Sequence, residues 1–130
     1  MIAVKGLCKK FVTERAQVRA VRGVSFEVAE GEFFTLLGPS GCGKSTVLRC
    51  IAGLERPEEG EITIGGHTVS SAASSVFVPP HRRDIAMVFQ SYAIWPHMTV
   101  YGNVAYPLEG KMSRAAMRER VMEALKMVGI

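Results

Sequence analysis

Long apolar runs are missing from this sequence. No run approaches the roughly 20 residues that a membrane-spanning helix needs, and the start, MIAVKGLCKKF, has no apolar stretch behind a basic segment of the kind that marks a signal peptide. Cysteine is also scarce, since Cys8, Cys42 and Cys50 are odd in number and form no CxxC pair. We therefore expect a reduced, cytosolic compartment, and neither a cysteine-based metal site nor a disulfide framework.

Other signals of particular function classes are weak or absent. The three histidines lack the HxxxH spacing of a metal site, and aromatic residues make up only 8% of the chain. The net charge of +4 favours anionic partners such as nucleotides, nucleic acid or a membrane surface. Because the basic residues are scattered and not interleaved with aromatic residues, we expect no nucleic-acid partner. With 130 residues, the chain fits one domain or part of a larger one.

The apolar pattern predicts strands in the first third of the chain. Residues 2–11 read as a strand, and residues 24–28 alternate between apolar and polar side chains, as in a half-exposed antiparallel strand. FFTLL, at residues 33–37, is apolar almost throughout, which is typical of a strand covered on both faces. An antiparallel region is thus expected to precede a buried central strand.

Further along the chain, residues 44–54 predict an amphipathic helix that stops at Gly53. Residues 60–69 predict a hairpin that turns at Gly65-Gly66, and DIAMVFQ, at residues 84–90, predicts a second buried strand. A last amphipathic helix is expected over residues 113–130. Ser113 would cap it and Gly129 would end it, and its apolar stripe would consist of Met117, Val121, Leu125 and Val128.

Between the strand FFTLL and the following helix, Gly38, Gly43, Lys44 and Ser45 match the phosphate-binding pattern G-x-x-x-x-G-K-[ST]. Glycine allows the backbone to turn and to approach phosphate oxygens closely. The helix that follows adds unpaired N–H groups and the positive end of its dipole. Lys44 supplies a mobile charge for the outer phosphates, and the Ser45 hydroxyl is suited to Mg²⁺.

Two alternatives accompany this motif. The turn could be a glycine-rich surface loop with an incidental lysine, although the apolar strand before it and the helix after it favour a phosphate loop. Cys42 within the turn could be a nucleophile, but no base partner is evident, and a small residue that fills a loop position is the simpler interpretation.

The segments GPSGCGKSTVLRCIAGLERPEEGEITIGG (38–66) and RRDIAMVFQSYAIWPHMTVYGNVAYPL (82–108) closely resemble the ATP-binding subunits of ABC transporters, in particular importer ATPases for iron(III), polyamines, phosphonates or sugars. The resemblance implies an α/β fold, a partial RecA-like P-loop NTPase core with an N-terminal antiparallel β subdomain and the start of a helical subdomain. The chain would be the N-terminal part of one ABC ATPase domain, with residues 1–90 in the β subdomain and core, and residues 91–130 starting with the Q-loop and the helical subdomain.

The resemblance also implies the site residues. Gln90 corresponds to the Q-loop glutamine near Mg²⁺ and the attacking water, and Phe11 to an aromatic residue that stacks on adenine, unless Phe11 is simply a core residue at a strand end. ATP and Mg²⁺ would be bound by Phe11, Gly38, Pro39, Ser40, Gly41, Cys42, Gly43, Lys44, Ser45, Thr46 and Gln90, of which Ser45 and Gln90 would face the metal. Tyr92, Ala93, Ile94, Trp95 and Pro96 would line a groove for a permease helix, or Trp95 would only pack against the helical subdomain.

By the same resemblance, the whole protein would hydrolyse ATP in a homodimer, on the cytoplasmic face of the cell membrane. It would act with transmembrane permease subunits and, indirectly, with a binding protein. The 130 residues contain no LSGGQ-like signature and no Asp-Glu pair. We therefore expect weak nucleotide binding without turnover, exposed apolar surface and poor solubility. The alternatives are a non-catalytic nucleotide-binding or permease-docking remnant and an unrelated P-loop kinase or repair ATPase, against which the sequence after Gln90 argues.

Overall fold

The computed structural model describes residues 1–13, 16–91 and 94–130. By their contacts, the residues form two compact units, residues 1–87 and residues 88–130. The elements of the first unit are β1 (Ile2–Thr13), β2 (Ala16–Val28), α1 (Lys44–Ala52), β3 (Glu59–Ile64), β4 (His67–Ser71), β5 (Val76–Phe77) and a 3₁₀ turn (Pro80–Arg82). Those of the second unit are α2 (Val100–Ala105), a 3₁₀ turn (Tyr106–Leu108) and α3 (Arg114–Met127).

The sheet of the first unit has the order β2-β1-β3-β4-β5, and every neighbouring pair is antiparallel. Ile2 lies opposite Val28 on one side and Ile64 on the other, which places β1 between β2 and β3. Gly65 and Gly66 have φ values of 57° and 81°, a turn geometry that favours glycine in tight hairpins. The strands predicted at residues 2–11 and 24–28 and the hairpin predicted at 60–69 are therefore confirmed.

A β-bulge interrupts β2 in the middle of its pairing with β1. Lys9 pairs with Val21 and Lys10 with Arg19, so that Ala20 is an extra residue on β2. Such a bulge shifts the alternation of side chains between the two faces of a strand by one position. The carbonyl oxygen of Ala20 lies against Gly43, so the bulge is beside the predicted phosphate loop.

The core of the first unit joins the sheet to α1. Leu7 and Ile62 are fully buried in the sheet, and Val47, Cys50 and Ile51 of α1 pack in the same cluster. Full burial of an aliphatic side chain of this size contributes about 1.5–3 kcal/mol each. Burial raises the pKa of the Cys50 thiol to about 11, so at neutral pH this cysteine is a protonated, apolar core residue.

The two predicted buried strands, residues 33–37 and 84–90, are wrong, because neither segment belongs to a strand in the structure. Phe33, Leu37 and Val88 are 94%, 95% and 96% exposed. An apolar run becomes a covered strand only when other strands and layers pack against it, and within the described ranges no strand pairs with either segment. The expected exposure of apolar surface at these segments is therefore confirmed.

The second unit is a small helical cluster. Ala105 of α2 and Val121 and Leu125 of α3 are buried against one another. The predicted Ser113 cap is confirmed, because its hydroxyl accepts a hydrogen bond from the Ala116 N–H at 3.3 Å. Val128 is wrongly placed in the apolar stripe, since α3 ends at Met127 and Val128 is 70% exposed. Within the described ranges, no helix combines the length and the hydropathy that crossing a membrane requires.

Candidate functional site

The predicted phosphate loop, residues 38–46, leads directly into α1, which begins at Lys44. Gly43 caps the helix with φ 98°, a left-handed conformation that side chains with a Cβ rarely adopt. A Cβ at Gly43 would also overlap the carbonyl oxygen of Ala20, the extra residue of the β2 bulge. The loop is thus seated against β2 at the bulge, and both the backbone conformation and the close contact require glycine at position 43.

The start of α1 presents unpaired donors. The first helical hydrogen bond runs from the Val47 N–H to the Gly43 carbonyl oxygen at 2.9 Å, so the N–H groups of Lys44, Ser45 and Thr46 have no acceptor within the helix. No acidic residue lies in the first turn, where it would compete for these donors. Such a helix start attracts anions through its N–H groups and its dipole.

The Lys44 side chain folds back over the loop. Its Nζ donates to the carbonyl oxygens of Gly38 at 2.7 Å and Pro39 at 2.8 Å, and lies 3.4 Å from the Cys42 Sγ. The ammonium is therefore held at the loop by exposed backbone acceptors. The polar contact that the structure gives to the Cys42 thiol is with this cation. The loop-filling role of Cys42 remains a prediction.

Ser45, the second residue of α1, is exposed, as is Ser40 in the loop. A serine hydroxyl at this place is a hard oxygen donor, the ligand type that Mg²⁺ prefers. Among the described residues, no group of three or more His, Cys, Asp and Glu side chains could hold a metal by itself. A metal at this loop would therefore depend on hydroxyl and amide oxygens together with the oxygens of a bound phosphate.

A cavity of about 410 Å³ adjoins the loop. Its lining consists of β2 (Arg19, Ala20, Val21, Arg22 and Val24), the segment Leu36 and Leu37, the loop residues Gly41, Cys42, Gly43 and Lys44, and Val47 of α1. This size is typical of small-molecule sites. The sequence identified the loop side of the cavity, but the β2 side was missed, because a bulge between two arginines leaves no sequence signal that we could have used.

Phe11 lies outside the cavity lining. It is 36% exposed on β1, opposite Val18, and the Lys9 Nζ lies 5.2 Å from the centre of its ring. Phe11 is therefore not the strand-end core residue of the alternative interpretation. Its contact with adenine remains a prediction.

The remaining predicted residues belong to the second unit. Gln90 is exposed, near the start of this unit. Tyr92 and Ala93 lie outside the described residues, and Ile94, Trp95 and Pro96 are exposed, with Trp95 at 50%. The Trp95 ring contacts those of His97 and Tyr106, with centroid distances of 6.1 and 6.0 Å. An exposed tryptophan held by neighbouring rings suits a protein contact.

Asn103 of α2, which the sequence reading overlooked, fixes the loop that carries Trp95. Its Oδ1 accepts from the Trp95 N–H at 2.7 Å, and its Nδ2 donates to the carbonyl oxygens of Trp95, Met98 and Thr99 at 3.2, 3.3 and 3.0 Å. One amide thus ties together the backbone of residues 95–99. Asparagine has a poor helix propensity, so its presence inside a helix was the sequence signal that could have pointed to this role.

We expect Asn103→Ala to loosen this loop, because four contacts to one side chain disappear together. Trp95 is the single tryptophan of the chain, so its fluorescence reports on the loop directly. The acrylamide quenching constant of the Trp95 fluorescence should increase about twofold. The reason is that each lost hydrogen bond contributes about 0.5–1.5 kcal/mol to holding the loop in place. Glu109→Ala, an exposed change outside the loop, should leave quenching unaltered. Equal quenching in the wild type and Asn103→Ala would contradict the assigned role.

Comparisons with known proteins agree with this geometry. The family model described as "ABC transporter" matches residues 21–130. The trehalose/maltose import ATP-binding protein MalK of Thermococcus litoralis is 56% identical over 115 residues, and the spermidine/putrescine import ATP-binding protein PotA of Acidothermus cellulolyticus is 48% identical over 130 residues. These matches cover 88% and 99% of this chain but only 31% and 32% of the relatives, so the chain spans about a third of their length.

Solved structures give the same result for the fold. A dimeric ATP-binding cassette in a post-hydrolysis state, bound to ADP and Pi, superposes with a TM-score of 0.78 at 32% identity. The match covers 98% of this chain and 56% of that chain. The dimeric structure of a bacterial ABC transporter cassette matches with a TM-score of 0.79 at 33% identity. The predicted α/β fold is thereby confirmed, and the chain belongs to the ABC transporter family, as an ATP-binding domain similar to those of importers.

Proposed function

We propose that this chain binds ATP with Mg²⁺ as part of the ATP-binding subunit of an ABC importer. The observation that carries the proposal is the loop before α1, in which Gly43 is required by contact with Ala20 and three helix N–H groups have no intrahelical acceptor. The Lys44 ammonium lies at the same loop. This donor set fits a polyphosphate, because it offers backbone donors and a mobile cation, with no acidic residue in the first turn of α1.

Each predicted residue receives a role on this basis. The backbone of residues 38–46 would hold the phosphates, Lys44 would neutralise the outer phosphate oxygens, and the Ser45 hydroxyl would ligate Mg²⁺. The Gln90 amide oxygen would add a neutral metal ligand and orient water. Phe11 would stack on the adenine. Bound Mg²⁺ would supply charge neutralisation between phosphate oxygens.

For the whole protein, we propose ATP hydrolysis coupled to solute import. The support is similarity to proteins named as import ATP-binding proteins and to dimeric cassettes, one of which is bound to ADP and Pi. A homodimer of full-length subunits would work at the cytoplasmic face of the membrane with permease subunits, and a binding protein would deliver the solute to the permease. Trp95, in its loop held by Asn103, would anchor a permease helix. Residues 1–90 would form the P-loop core with its β subdomain, and residues 91–130 would begin the helical subdomain.

For the 130 residues alone, we propose nucleotide binding without turnover. A water-activating glutamate after an apolar strand and a signature segment for the opposing site are parts that the family uses, and the sequence contains neither an Asp-Glu pair nor an SGG segment. Without a positioned general base and without opposing donors, the transition state for phosphoryl transfer gains little stabilisation.

The test is a paired measurement on the purified 130-residue chain. Titration with a fluorescent ATP analogue and Mg²⁺ should give saturable binding that excess unlabelled ATP displaces. A phosphate-release assay at saturating ATP should show no rate above that of Lys44→Ala prepared identically. Absence of displaceable binding would refute the proposed nucleotide site, and steady phosphate release that Lys44→Ala abolishes would refute the proposed lack of turnover.

A further inference from the structure

The charged residues that are described in the lining of the cavity beside the phosphate loop are all basic. Three basic residues, Arg19, Arg22 and Lys44, belong to its lining, and none of the lining residues that the structure describes is Asp or Glu. The rest of the lining is apolar or small, including Leu36, Leu37 and the glycines of the loop. A concave site of this composition favours an anion with several charges.

The β2 bulge explains how two arginines that line one cavity come to lie on the same face of the strand. Side chains three positions apart on a regular strand point to opposite faces, so Arg19 and Arg22 would normally be separated by the sheet. The extra residue, Ala20, lies between them and shifts the alternation by one position. The same residue provides the carbonyl oxygen against which Gly43 is seated. One local irregularity thus places the phosphate loop and both arginines at the same cavity.

No carboxylate of the described residues forms an ion pair with either arginine. In the part of the chain that the structure describes, the ion pairs are those of Lys9 with Glu55 and Glu58, and the contact given for Arg22 is a long hydrogen bond from its Nε to the Arg19 carbonyl oxygen at 3.5 Å. Both arginines are exposed. Their charges are therefore available to a ligand, and a guanidinium is well suited to phosphate oxygens.

We propose that Arg19 and Arg22 are specificity-determining residues of the nucleotide site, which favour nucleoside triphosphates over di- and monophosphates. This inference rests on the proposed nucleotide binding. Each added phosphate increases the negative charge of the ligand, so positive charge on the β2 side of the cavity contributes more to ATP than to AMP. The arginines thus add to the discrimination that Lys44 provides from the loop side.

The test compares affinities for Mg·ATP, ADP and AMP, by competition against a fluorescent ATP analogue, in Arg19→Gln, Arg22→Gln and the double variant. Each single change should weaken ATP binding about two- to fivefold, the range expected for one exposed charge pair. The double variant should lose about tenfold, with much less change for AMP and a weaker dependence on salt. Arg19→Lys with Arg22→Lys should retain most of the preference, because the charge remains.

Arg118→Gln on α3 is the matched control, because it removes the same charge from an exposed position of the second unit. Far-UV circular dichroism verifies that each variant is folded. If the wild type binds ATP in a Lys44-dependent manner but the double variant keeps the ATP-to-AMP ratio of Arg118→Gln, the inference is overturned and the proposed function stands. If the wild type binds no nucleotide, both are overturned.

Discussion

Alanine at position 44 is expected to weaken Mg·ATP binding roughly 30- to 150-fold, which corresponds to about 2–3 kcal/mol, the upper range for a hydrogen bond to a charged group. The Lys44 ammonium lies at the loop, where it donates to the carbonyl oxygens of Gly38 and Pro39 and contacts the Cys42 thiol. These residues are exposed, so water can replace the lost donor at little cost. The variant should therefore fold normally and lose affinity for nucleotide.

Equilibrium titration with a fluorescent ATP analogue measures this loss, and thermal unfolding shows whether stability is preserved. Lys111→Ala removes the same charge from an exposed position of the second unit and should bind as the wild type does. Lys44→Arg keeps the charge but replaces a compact ammonium by a planar fork, so an intermediate affinity is expected. Unchanged affinity in Lys44→Ala would show that the loop is not the phosphate site.

The sequence predicted the local elements that depend on short-range physics. The period-two alternation around Phe26, the Gly65-Gly66 turn and the Ser113 cap were each correctly assigned, because strand periodicity, positive φ and helix capping are local requirements. The predicted phosphate loop also involves a local requirement, the positive φ of Gly43. Glycine at position 43 could be predicted from the motif, while its contact with Ala20 could not, because that contact depends on the strand pairing.

The incorrect assignments share a cause, which is that burial depends on distant partners. FFTLL has the composition of a covered strand, but its state in the structure is set by what packs on it, and Phe33 and Leu37 are almost fully exposed. Phe34 stacks on Phe26 at 4.9 Å and Leu36 packs on the core, so only part of the segment is covered. Apolarity alone predicts a preference for burial and cannot show that a partner is present.

Arg83 shows the opposite error. In the sequence it is one of two adjacent arginines among the scattered basic residues, yet it is 4% exposed. Its Nη1 donates to the carbonyl oxygens of Cys50 and Ile51 at 2.7 Å each, at the end of α1. Its Nε and Nη2 donate to the carbonyl oxygens of Val78 and Val69 at 2.8 and 3.2 Å. Nothing local distinguishes it from the exposed Arg82, since only the tertiary structure supplies the four acceptors.

These contacts make Arg83 a clamp between the end of α1, strand β4 and the segment that follows β5. Helix carbonyl groups in the last turn lack intrahelical partners. The guanidinium donates to two of them, and one of these, the Cys50 carbonyl oxygen, also accepts from the Gly53 N–H. Burial lowers the pKa of Arg83 below its usual value, which reflects the cost of desolvation that the four carbonyl oxygens offset. Gly53 is part of the arrangement, because a Cβ there would lie 2.6 Å from the Arg83 Nε.

Arg83→Leu is therefore expected to destabilise the chain by about 3–5 kcal/mol, because the carbonyl oxygens of Ile51 and Val78 lose the donor that the structure gives them, at about 1–3 kcal/mol each. The carbonyl oxygens of Cys50 and Val69 keep backbone donors, the N–H groups of Gly53 and Val78. Since the total stability of a domain is about 5–15 kcal/mol, the variant should be close to unfolding at room temperature. Urea denaturation followed by circular dichroism measures the shift.

Arg82→Leu, at the exposed neighbouring position, should change stability by less than about 0.5 kcal/mol. Arg83→Lys should recover part of the loss, because one ammonium offers three donors and cannot reach four separate acceptors. Equal midpoints for Arg83→Leu and Arg82→Leu would mean that the clamp contributes nothing, and the attachment of α1 would then depend on the apolar contacts of Val47 and Ile51 alone.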